Sequence, residues 1–342
     1  MNTTTTTTTR LAVSASSLTA IDLIKTPNGY FVDKHTEMTT NKDVSNAALR
    51  ELDLLLTAKT HRSKALGARH VVGLHSYHLH EKRLHVLQEY CARGDLFDIA
   101  QLESRQLRAG LLSSADEGLT TSEHGLKRVF QQTTSAVAFL HAQDIAHLDL
   151  SLENVFLTAS GDARVGDFAH TQQIQRDPLG RVVPQQVTFS IAKAAYAAPE
   201  LYSPNEWVDV TQADAWALGV MLWQLVSRTP LFQVFPIPED PLFQLMQTRG
   251  SWWALEQTQR LRGVSWALRD LLHRLLDPNP ATRLSVTEAQ SHLWFRSCST
   301  RVTGVTSSKK TMDAKSKRLR SQSSGGEISL ATTRVAIRTT LR

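Results

Sequence analysis

Three residues in the middle of the chain could together hold a metal ion and orient a hydroxyl group. Asp149 and Asn154 lie five positions apart, and Asp167 follows Asp149 by 18 positions. A carboxylate can orient an attacking hydroxyl, and carboxylate or amide oxygens bind the divalent cation that holds phosphates. On a tight loop, Asp149 would be the base and Asn154 a metal ligand, and Asp167 would complete the metal site after a short hairpin. This pattern favours transfer of a phosphoryl group to a hydroxyl.

The segments that carry these residues resemble the protein kinase family. His147-Leu148-Asp149-Leu150, followed by Asn154, is similar to the family pattern H-R-D-L-x-x-x-N, and Asp167-Phe168-Ala169 is similar to D-F-G. Membership would imply an α+β fold with a β-rich N-terminal lobe and a helical C-terminal lobe, ATP and Mg²⁺ as cofactors, and a protein substrate. Further segments match in the family's order: Tyr196-Ala197-Ala198-Pro199-Glu200, Asp214-Ala215-Trp216-Ala217-Leu218-Gly219, and Asp277 to Arg283, whose arginine would pair with Glu200.

The resemblance gives each candidate site residue a role. Asp149 would orient the substrate hydroxyl, and Asn154 and Asp167 would bind Mg²⁺. Lys34, in a loose match to V-A-I-K, would hold the phosphates and pair with Glu51, although the two could also be a strand-surface lysine and a solvated helix residue. The other nucleotide-binding candidates are Val32 and Phe156, the backbone of Glu89 and Cys91 for the base, Asp95 for the ribose, and Ala12, Ser14 and Ser17 in the phosphate-covering loop.

Several positions depart from the family pattern. No glycine occurs from Ala12 to Thr19, where glycines would let backbone N–H groups approach the phosphates. Leu148 replaces the arginine that receives an activation-loop phosphate, so activation by loop phosphorylation is not expected. Ser151 stands in place of a lysine and Lys193 in place of a threonine. Lys193 would supply the positive charge that is missing at position 151. The alternative is that Lys193 is an exposed activation-loop lysine.

Hydrophobic periodicity supplies the elements that must position these residues. Hairpins are predicted from Ala20–Lys25 with Tyr30–Lys34 and from Leu74–His80 with Leu84–Glu89, and a helix is predicted over Val44–Ala58. The family's hydrophobic spine would be formed by Leu55, Leu74, His147 and Phe168 and anchored by Asp214. Four more helices are predicted at Gly125–His141, Asp214–Val226, Trp266–Leu276 and Val286–Trp294.

Composition predicts three segments. Residues 1–9 are a low-complexity threonine run, residues 10–295 would form the kinase domain with lobes of about 10–90 and 91–295, and residues 296–342 would be a disordered basic tail. The tail has 11 basic and 2 acidic residues, whereas the rest has 27 basic and 30 acidic residues. The charge therefore belongs to the tail, and we expect no nucleic-acid binding by the folded domain.

The remaining patterns bear on location and metal binding. Two cysteines about two hundred positions apart indicate a reducing compartment, and the apolar run Ala215–Val226 is too short to span a bilayer. We expect a cytoplasmic protein, with nuclear import possible through Lys315–Arg320. His78 and His80 could share a face of a hairpin, but no third ligand is evident.

Two functions remain open at this point. The first is an active protein kinase, with serine and threonine favoured over tyrosine because the arginine and alanine of tyrosine kinases are absent after Asp149. The second is a pseudokinase that binds ATP as a scaffold or interaction module. The missing glycines and Ser151 favour the second function, while the intact Asp149, Asn154 and Asp167 favour the first.

Overall fold

The computed structural model describes residues 6–14, 18–40, 42–112, 118–187, 191–203 and 207–296. The candidate Ser17, residues 1–5 and nearly all of the basic tail lie outside the described residues. None of the described helices is both long enough and apolar enough to cross a membrane.

The N-terminal lobe is built on one antiparallel sheet of five strands in the order β1-β2-β3-β5-β4. Both predicted hairpins are present. Gly29 closes the first with φ of 128°, a conformation that L side chains rarely adopt, and Glu81 and Lys82 close the second with φ of 46° and 64°. The strand bounds are β1 Thr7–Val13, β2 Thr19–Thr26, β3 Gly29–Glu37, β4 Leu74–His80 and β5 Arg83–Glu89.

The expected disorder of residues 1–9 is wrong for the end of the threonine run. Thr7, Thr8 and Thr9 belong to β1 and pair with Lys25, Ile24 and Leu23 of β2. Threonine is β-branched and favours extended backbone, so a threonine run that meets a partner strand can join the sheet. The seven-residue strand β1 also contains Ala12, which was expected in the phosphate-covering loop.

One long helix, α1, Lys42–His61, belongs to this lobe, and it extends past the predicted Val44–Ala58 at both ends. Leu52 and Leu55 are buried on its inner side, and the charged residue Glu51 is buried with them. A carboxylate is rarely buried without a charged partner. The burial of Glu51 therefore indicates a cationic partner within the lobe.

The C-terminal lobe is helical, and the α+β two-lobed fold is confirmed. Its most apolar helix is buried along most of its surface, which explains why hydrophobic residues occur on most of its faces. The helices are α2 Leu96–Arg108, α3 Glu123–Ala142, α4 Val210–Ser227, α5 Pro241–Arg249, α6 Ser251–Gln257, α7 Trp266–Leu275, α8 Val286–Gln290 and α9 Leu293–Arg296. Short strands β6 Ile145–Ala146, β7 Val155–Leu157, β8 Ala163–Val165 and β9 Gln172–Gln173 flank the interlobe region.

The predicted helix Val286–Trp294 is two helices. Ser291 ends α8, and the next residue, His292, turns its ring back into the structure. His292 Nε2 lies 2.8 Å from Asp270 Oδ2, and its Nδ1 accepts the Trp294 N–H at 3.2 Å. These side-chain bonds compete with the helical bonds and interrupt a pattern that is periodic in sequence.

Candidate active site

A cavity of about 420 Å³ lies between the lobes. Apolar side chains of the sheet, including Ile21 and Leu23 of β2 and Val32 of β3, face Phe156 of β7 across it. Lys34, Glu51 and Asp167 line its inner end. A narrow apolar slot that ends in charged groups suits a flat base joined to a polyanion.

Lys34 joins the two lobes at the inner end of this cavity. Its Nζ is 2.7 Å from Glu51 Oε2 on α1 and 3.0 Å from Asp167 Oδ1. Burial alone would lower the pKa of Lys34, but the charges of Asp167 and Glu51 outweigh it and raise the pKa well above its ordinary value. The alternative of a strand-surface lysine and a solvated glutamate is therefore wrong, because Lys34 is the cationic partner of the buried Glu51.

Asp167 is held as a carboxylate in a strained backbone. Burial alone would raise its pKa, but the charge and hydrogen bond of Lys34 lower the pKa below the ordinary range. Its φ is 60°, a left-handed conformation that costs a non-glycine residue roughly 1–2 kcal/mol. Such strain concentrates at functional sites, where the surroundings enforce it.

Asp149 and Asn154 contact each other directly. The Asn154 Nδ2 donates to the Asp149 carbonyl at 2.7 Å and to Asp149 Oδ2 at 3.0 Å, while the Asn154 Oδ1 accepts from Lys193 Nζ at 3.4 Å. Burial raises the pKa of Asp149 to about 7, opposed by Lys193 and by the bond from Asn154 and reinforced by Asp167. Within the part of the chain that the structure describes, the buried Asp149 Oδ1 has no hydrogen-bond partner.

The backbone before Asp149 is fixed by Asp214 at the start of α4. The Asp214 Oδ2 accepts the His147 N–H and its Oδ1 accepts the Leu148 N–H, each at 2.8 Å. These two bonds hold Leu148 in a left-handed conformation with φ of 59°. His141 also reaches Asp214 Oδ2 at 2.8 Å, so the carboxylate is fully partnered although it is buried.

His147 completes the link between this loop and the hairpin of Asp167. Its Nδ1 accepts the Asp149 N–H at 3.3 Å, so the ring proton lies on Nε2, which donates to the Gly166 carbonyl at 3.2 Å. Burial lowers the pKa of His147, which suits this neutral form. The ring lies 5.4 Å from that of Phe168, and the predicted spine residues Leu55, Leu74, His147, Phe168 and Asp214 are all buried.

Lys193 belongs to the activation segment, which by the family pattern runs from Asp167 to Glu200, and it reaches the catalytic loop, His147–Asn154. Its Nζ donates to Ser151 Oγ at 2.6 Å, lies 3.4 Å from Asn154 Oδ1, and is 3.8 Å from Glu153 Oε2. Only 19% of its side chain is exposed. The alternative of an exposed activation-loop lysine is therefore wrong.

The activation segment packs on this loop through apolar contacts. Leu148, which is partly buried, lies against a cluster formed by Ala146, Ile174, Val208 and Val210. Val182, Val187 and Leu201 pack on the same cluster. The position that would otherwise hold a phosphate-binding arginine thus anchors the segment by hydrophobic contact.

Only some of the nucleotide-binding candidates line the cavity. Val32, Phe156, Glu89 and Cys91 line it as predicted. The Glu89 N–H is donated to the Gly73 carbonyl at 2.7 Å, so a base contact by Glu89 would use its carbonyl.

The assignment of Asp95 to the ribose is not supported by its position. Asp95 is the N-cap of α2, where its carboxylate accepts the Asp98 N–H at 2.8 Å, and it does not line the cavity. The carboxylate one turn further on, Asp98, does line it. Burial raises the pKa of Asp95 to about 7, partly offset by the bond from Asp98.

The loop candidates Ala12 and Ser14 do not line the cavity, whereas Leu11 does. Ser14 instead closes the turn, because its N–H donates to the Thr19 carbonyl at 2.7 Å and its Oγ accepts the Thr19 N–H at 3.0 Å. Gln88, which belongs to none of the predicted site residues, lines the cavity and donates to Glu51 at 3.4 Å. Its place on the buried side of β5 with Leu84 and Val86 could have identified it.

The site also fits a nucleotide-bound metal. Among the described residues, no group of three His, Cys, Asp or Glu side chains could hold a metal ion. Mg²⁺ is commonly bound by one or two protein oxygens together with phosphates and water. The Asp167 carboxylate and the Asn154 Oδ1 supply such a set.

The expected ion pair between Glu200 and Arg283 is present. Arg283 donates from both terminal nitrogens to the two Glu200 oxygens, at 2.6 and 2.9 Å, and its side chain is completely buried. A two-bond pair of this kind fixes the end of the activation segment against the helical lobe.

Comparison with known proteins agrees with this geometry. A sequence family described as "Protein kinase domain" matches residues 22–295. The chain is 29% identical over 237 residues to CBL-interacting protein kinase 21 of Oryza sativa subsp. japonica, with 68% of this chain and 39% of that protein covered. It is 28% identical over 255 residues to testis-specific serine/threonine-protein kinase 2 of Mus musculus, with 72% and 60% covered. The chain thus spans less than two thirds of these relatives.

Proposed function

The chain belongs to the protein kinase family, and from that membership we propose that it is an active enzyme transferring the γ-phosphoryl group of Mg-ATP to serine or threonine hydroxyls of proteins. The observation that carries the proposal is the pair of contacts of Lys34, at 2.7 Å from Glu51 and 3.0 Å from Asp167. These contacts bring the phosphate-binding lysine of one lobe to the metal-binding carboxylate of the other. Such an arrangement is required for phosphoryl transfer in this family.

Each polar residue of the site then has a task that its surroundings support. The cavity wall of Val32 and Phe156 would enclose the base, and Lys34 would hold phosphate oxygens. Bound Mg-ATP supplies the phosphoryl group, and its Mg²⁺ offsets the negative charge of the phosphate oxygens. Asp149, whose pKa of about 7 matches that of a base working near neutral pH, would accept a hydrogen bond from the substrate hydroxyl and orient it. Its unpartnered Oδ1 is available for that bond.

We assign the positive charge beside the transferred group to Lys193. In the family pattern this charge comes from the position of Ser151, which here is a neutral hydroxyl. Lys193 is bonded to that hydroxyl and lies 3.4 Å from Asn154 Oδ1, so its ammonium group occupies the same part of the site. A preorganised cation at this point would stabilise charge that develops on the phosphoryl oxygens.

A second candidate function is an ATP-binding scaffold without transfer activity. The contact between Lys193 and Asn154 favours it. Lys193 Nζ already lies near the Asn154 oxygen that would bind the metal. If that contact persists with nucleotide bound, a cation would compete with Mg²⁺ for one of its two protein ligands.

One assay separates the two functions. The purified chain is incubated with labelled ATP, Mg²⁺ and generic acceptors that contain serine, threonine or tyrosine, and the Asp149→Ala variant is the control. Label on serine or threonine that disappears in the variant supports the active enzyme. A Mg-ATP-dependent rise in melting temperature without any transfer supports the scaffold.

A further inference from the structure

A second cavity, of about 320 Å³, opens on the C-terminal lobe between α2 and the end of α4. We call it the arginine groove because Arg105, Arg108 and Arg228 line it. Among the described residues that line it there is no carboxylate, and the other polar side chains on its walls are neutral. A concave surface with several guanidinium groups is a typical site for carboxylate or phosphate.

The arginine groove is continuous with the catalytic loop. Leu152 lines it and follows Asp149 by three residues, so their Cα atoms are at most about 11 Å apart. Gln224 lines it as well, and its Oε1 accepts the hydroxyl of Tyr196 at the end of the activation segment, at 2.8 Å. A substrate extended across Asp149 would reach the groove within about two to four residues, at roughly 3.3 Å per residue.

The three arginines have few carboxylate partners. Within the described ranges, none of them forms an ion pair with Asp or Glu at 4.0 Å or less. Arg228 donates to the Thr120 carbonyl and, at 2.9 Å, to the Thr120 hydroxyl, while Arg105 donates to Gln101 at 3.1 Å. Arg228 is thus held in place by neutral acceptors, and Arg108 is exposed at the rim.

Nearby carboxylates lower the net charge without filling the groove. The buried Glu103 acts on Arg228, but its oxygens accept the backbone N–H groups of Leu119 and Thr120 and the Thr120 hydroxyl. Asp98 faces Arg105 from the nucleotide cavity, and Glu153 lies opposite Lys193. Arg108 is left as the most available cation.

We propose that the arginine groove binds a negatively charged side chain of the protein substrate, two to four residues from the hydroxyl that is phosphorylated. The proposal rests on the proposed function and adds a substrate class to it. The charge comes either from Asp or Glu or from a residue that already carries a phosphate, and both sources can accept two parallel hydrogen bonds from a guanidinium group.

The test uses the full chain and a set of serine peptides that differ only by one alanine, glutamate, phosphoserine or lysine placed from four residues before the acceptor to four residues after it. Binding of each peptide is measured by fluorescence anisotropy, and kcat/KM is measured separately. Arg108→Gln is the informative variant, since Arg105 also lines the nucleotide cavity. Arg260→Gln with Arg262→Gln is the control, because both arginines are exposed and neither lines the groove.

We expect the charged peptides to bind the unchanged protein roughly three- to tenfold more tightly than the alanine peptide, at two to four residues from the acceptor. Arg108→Gln should remove most of that ratio, and the control variant should keep it. Arg108→Glu should invert the preference in favour of lysine peptides. A stronger effect of phosphoserine than of glutamate would identify the phosphate as the source.

Equal binding of charged and alanine peptides would overturn the proposal. It would also be overturned if the preference appeared only after Asp116→Asn with Glu117→Gln, because carboxylates of the chain itself would then occupy the groove. Selective binding without any transfer would leave the arginine groove standing and reject only the enzymatic activity. Transfer of phosphate to peptides without any preference for a charged residue would support the enzymatic activity and reject the arginine groove as a binding site.

Discussion

Lys193 Nζ and Ser151 Oγ are joined by a hydrogen bond of 2.6 Å that links the activation segment to the catalytic loop across 42 positions of sequence. In the family pattern the lysine belongs to the loop and a hydroxyl residue belongs to the segment. The two partners are exchanged here, yet the contact between an ammonium group and a hydroxyl is retained. The charge at the site is thus kept although neither residue matches the pattern.

The exchange predicts a large kinetic effect for one substitution. Lys193→Ala should reduce kcat by about 10²–10³-fold with little change in the KM for ATP, because the interaction strengthens mainly in the transition state. Steady-state kinetics at saturating peptide would measure it. Ser151→Lys combined with Lys193→Thr restores the family arrangement and should recover much of the loss. If the Lys193→Ala variant keeps most of its activity, Lys193 does not take part in phosphoryl transfer.

Asp167→Asn should abolish transfer and the stabilisation of the protein by Mg-ATP. Asparagine is nearly isosteric, but it removes the negative charge that faces Lys34 and would bind Mg²⁺. Thermal melts with Mg-ATP, with ATP and EDTA, and without ligand would report the change. If the variant shows the same rise in melting temperature with Mg-ATP as the unchanged protein, Asp167 is not the metal ligand.

Phosphatase treatment of the purified protein should change its rate by less than about twofold. Leu148 offers no guanidinium to a phosphate and packs against Ile174 and Val208 instead. Thr171 is buried and donates its hydroxyl to the Phe168 carbonyl, so it is a poor phosphorylation site. Activity lost with phosphatase and regained on phosphorylation of Thr188 or Ser190, which lie outside the described residues, would contradict this prediction.

The free energy of unfolding should depend on pH through Asp95. Its pKa is raised from 3.8 to about 7 by burial, so the folded state binds a proton more tightly than the unfolded state does. This proton stabilises the fold at low pH, and that contribution falls as pH rises from about 4 to about 7, by at most about 4 kcal/mol.

Asp95→Asn is the matched test, because asparagine can also cap α2 but does not titrate. The variant should unfold at a similar urea concentration to the unchanged protein near pH 4 and at a higher one at pH 8. If the stability difference between the two proteins is the same at pH 4, 6 and 8, Asp95 does not titrate in this range.

Much of the site could be predicted because its residues lie in short segments of fixed spacing. Asp149 and Asn154 contact each other as expected, and Asp167 lies near enough for its charge to raise the pKa of Asp149. Lys34 and Glu51 were also paired correctly, because a strand and the helix after it can bring together only a few residues of opposite charge.

The structure departs from the predictions for a side chain with two possible roles and for a strand that needs a partner from another part of the chain. Asp95 and Asp98 lie one helical turn apart, and either carboxylate could face the nucleotide. A helix N-terminus needs an acceptor, and Asp95 fills that need, which leaves Asp98 to face the cavity. The threonines of β1 likewise depend on Lys25, Ile24 and Leu23 of another strand, a pairing that local composition does not contain.

The two hydrogen bonds that Asp214 accepts from the backbone N–H groups of His147 and Leu148 make the shape of the catalytic loop independent of the side chain at position 148. That position can therefore change its chemistry without disturbing the placement of Asp149. In such an arrangement, the response to phosphorylation and the geometry of the catalytic loop depend on different residues. A substitution at position 148 can therefore remove the first without changing the second. Replacing Asp214, by contrast, would alter the loop whichever residue stands at position 148.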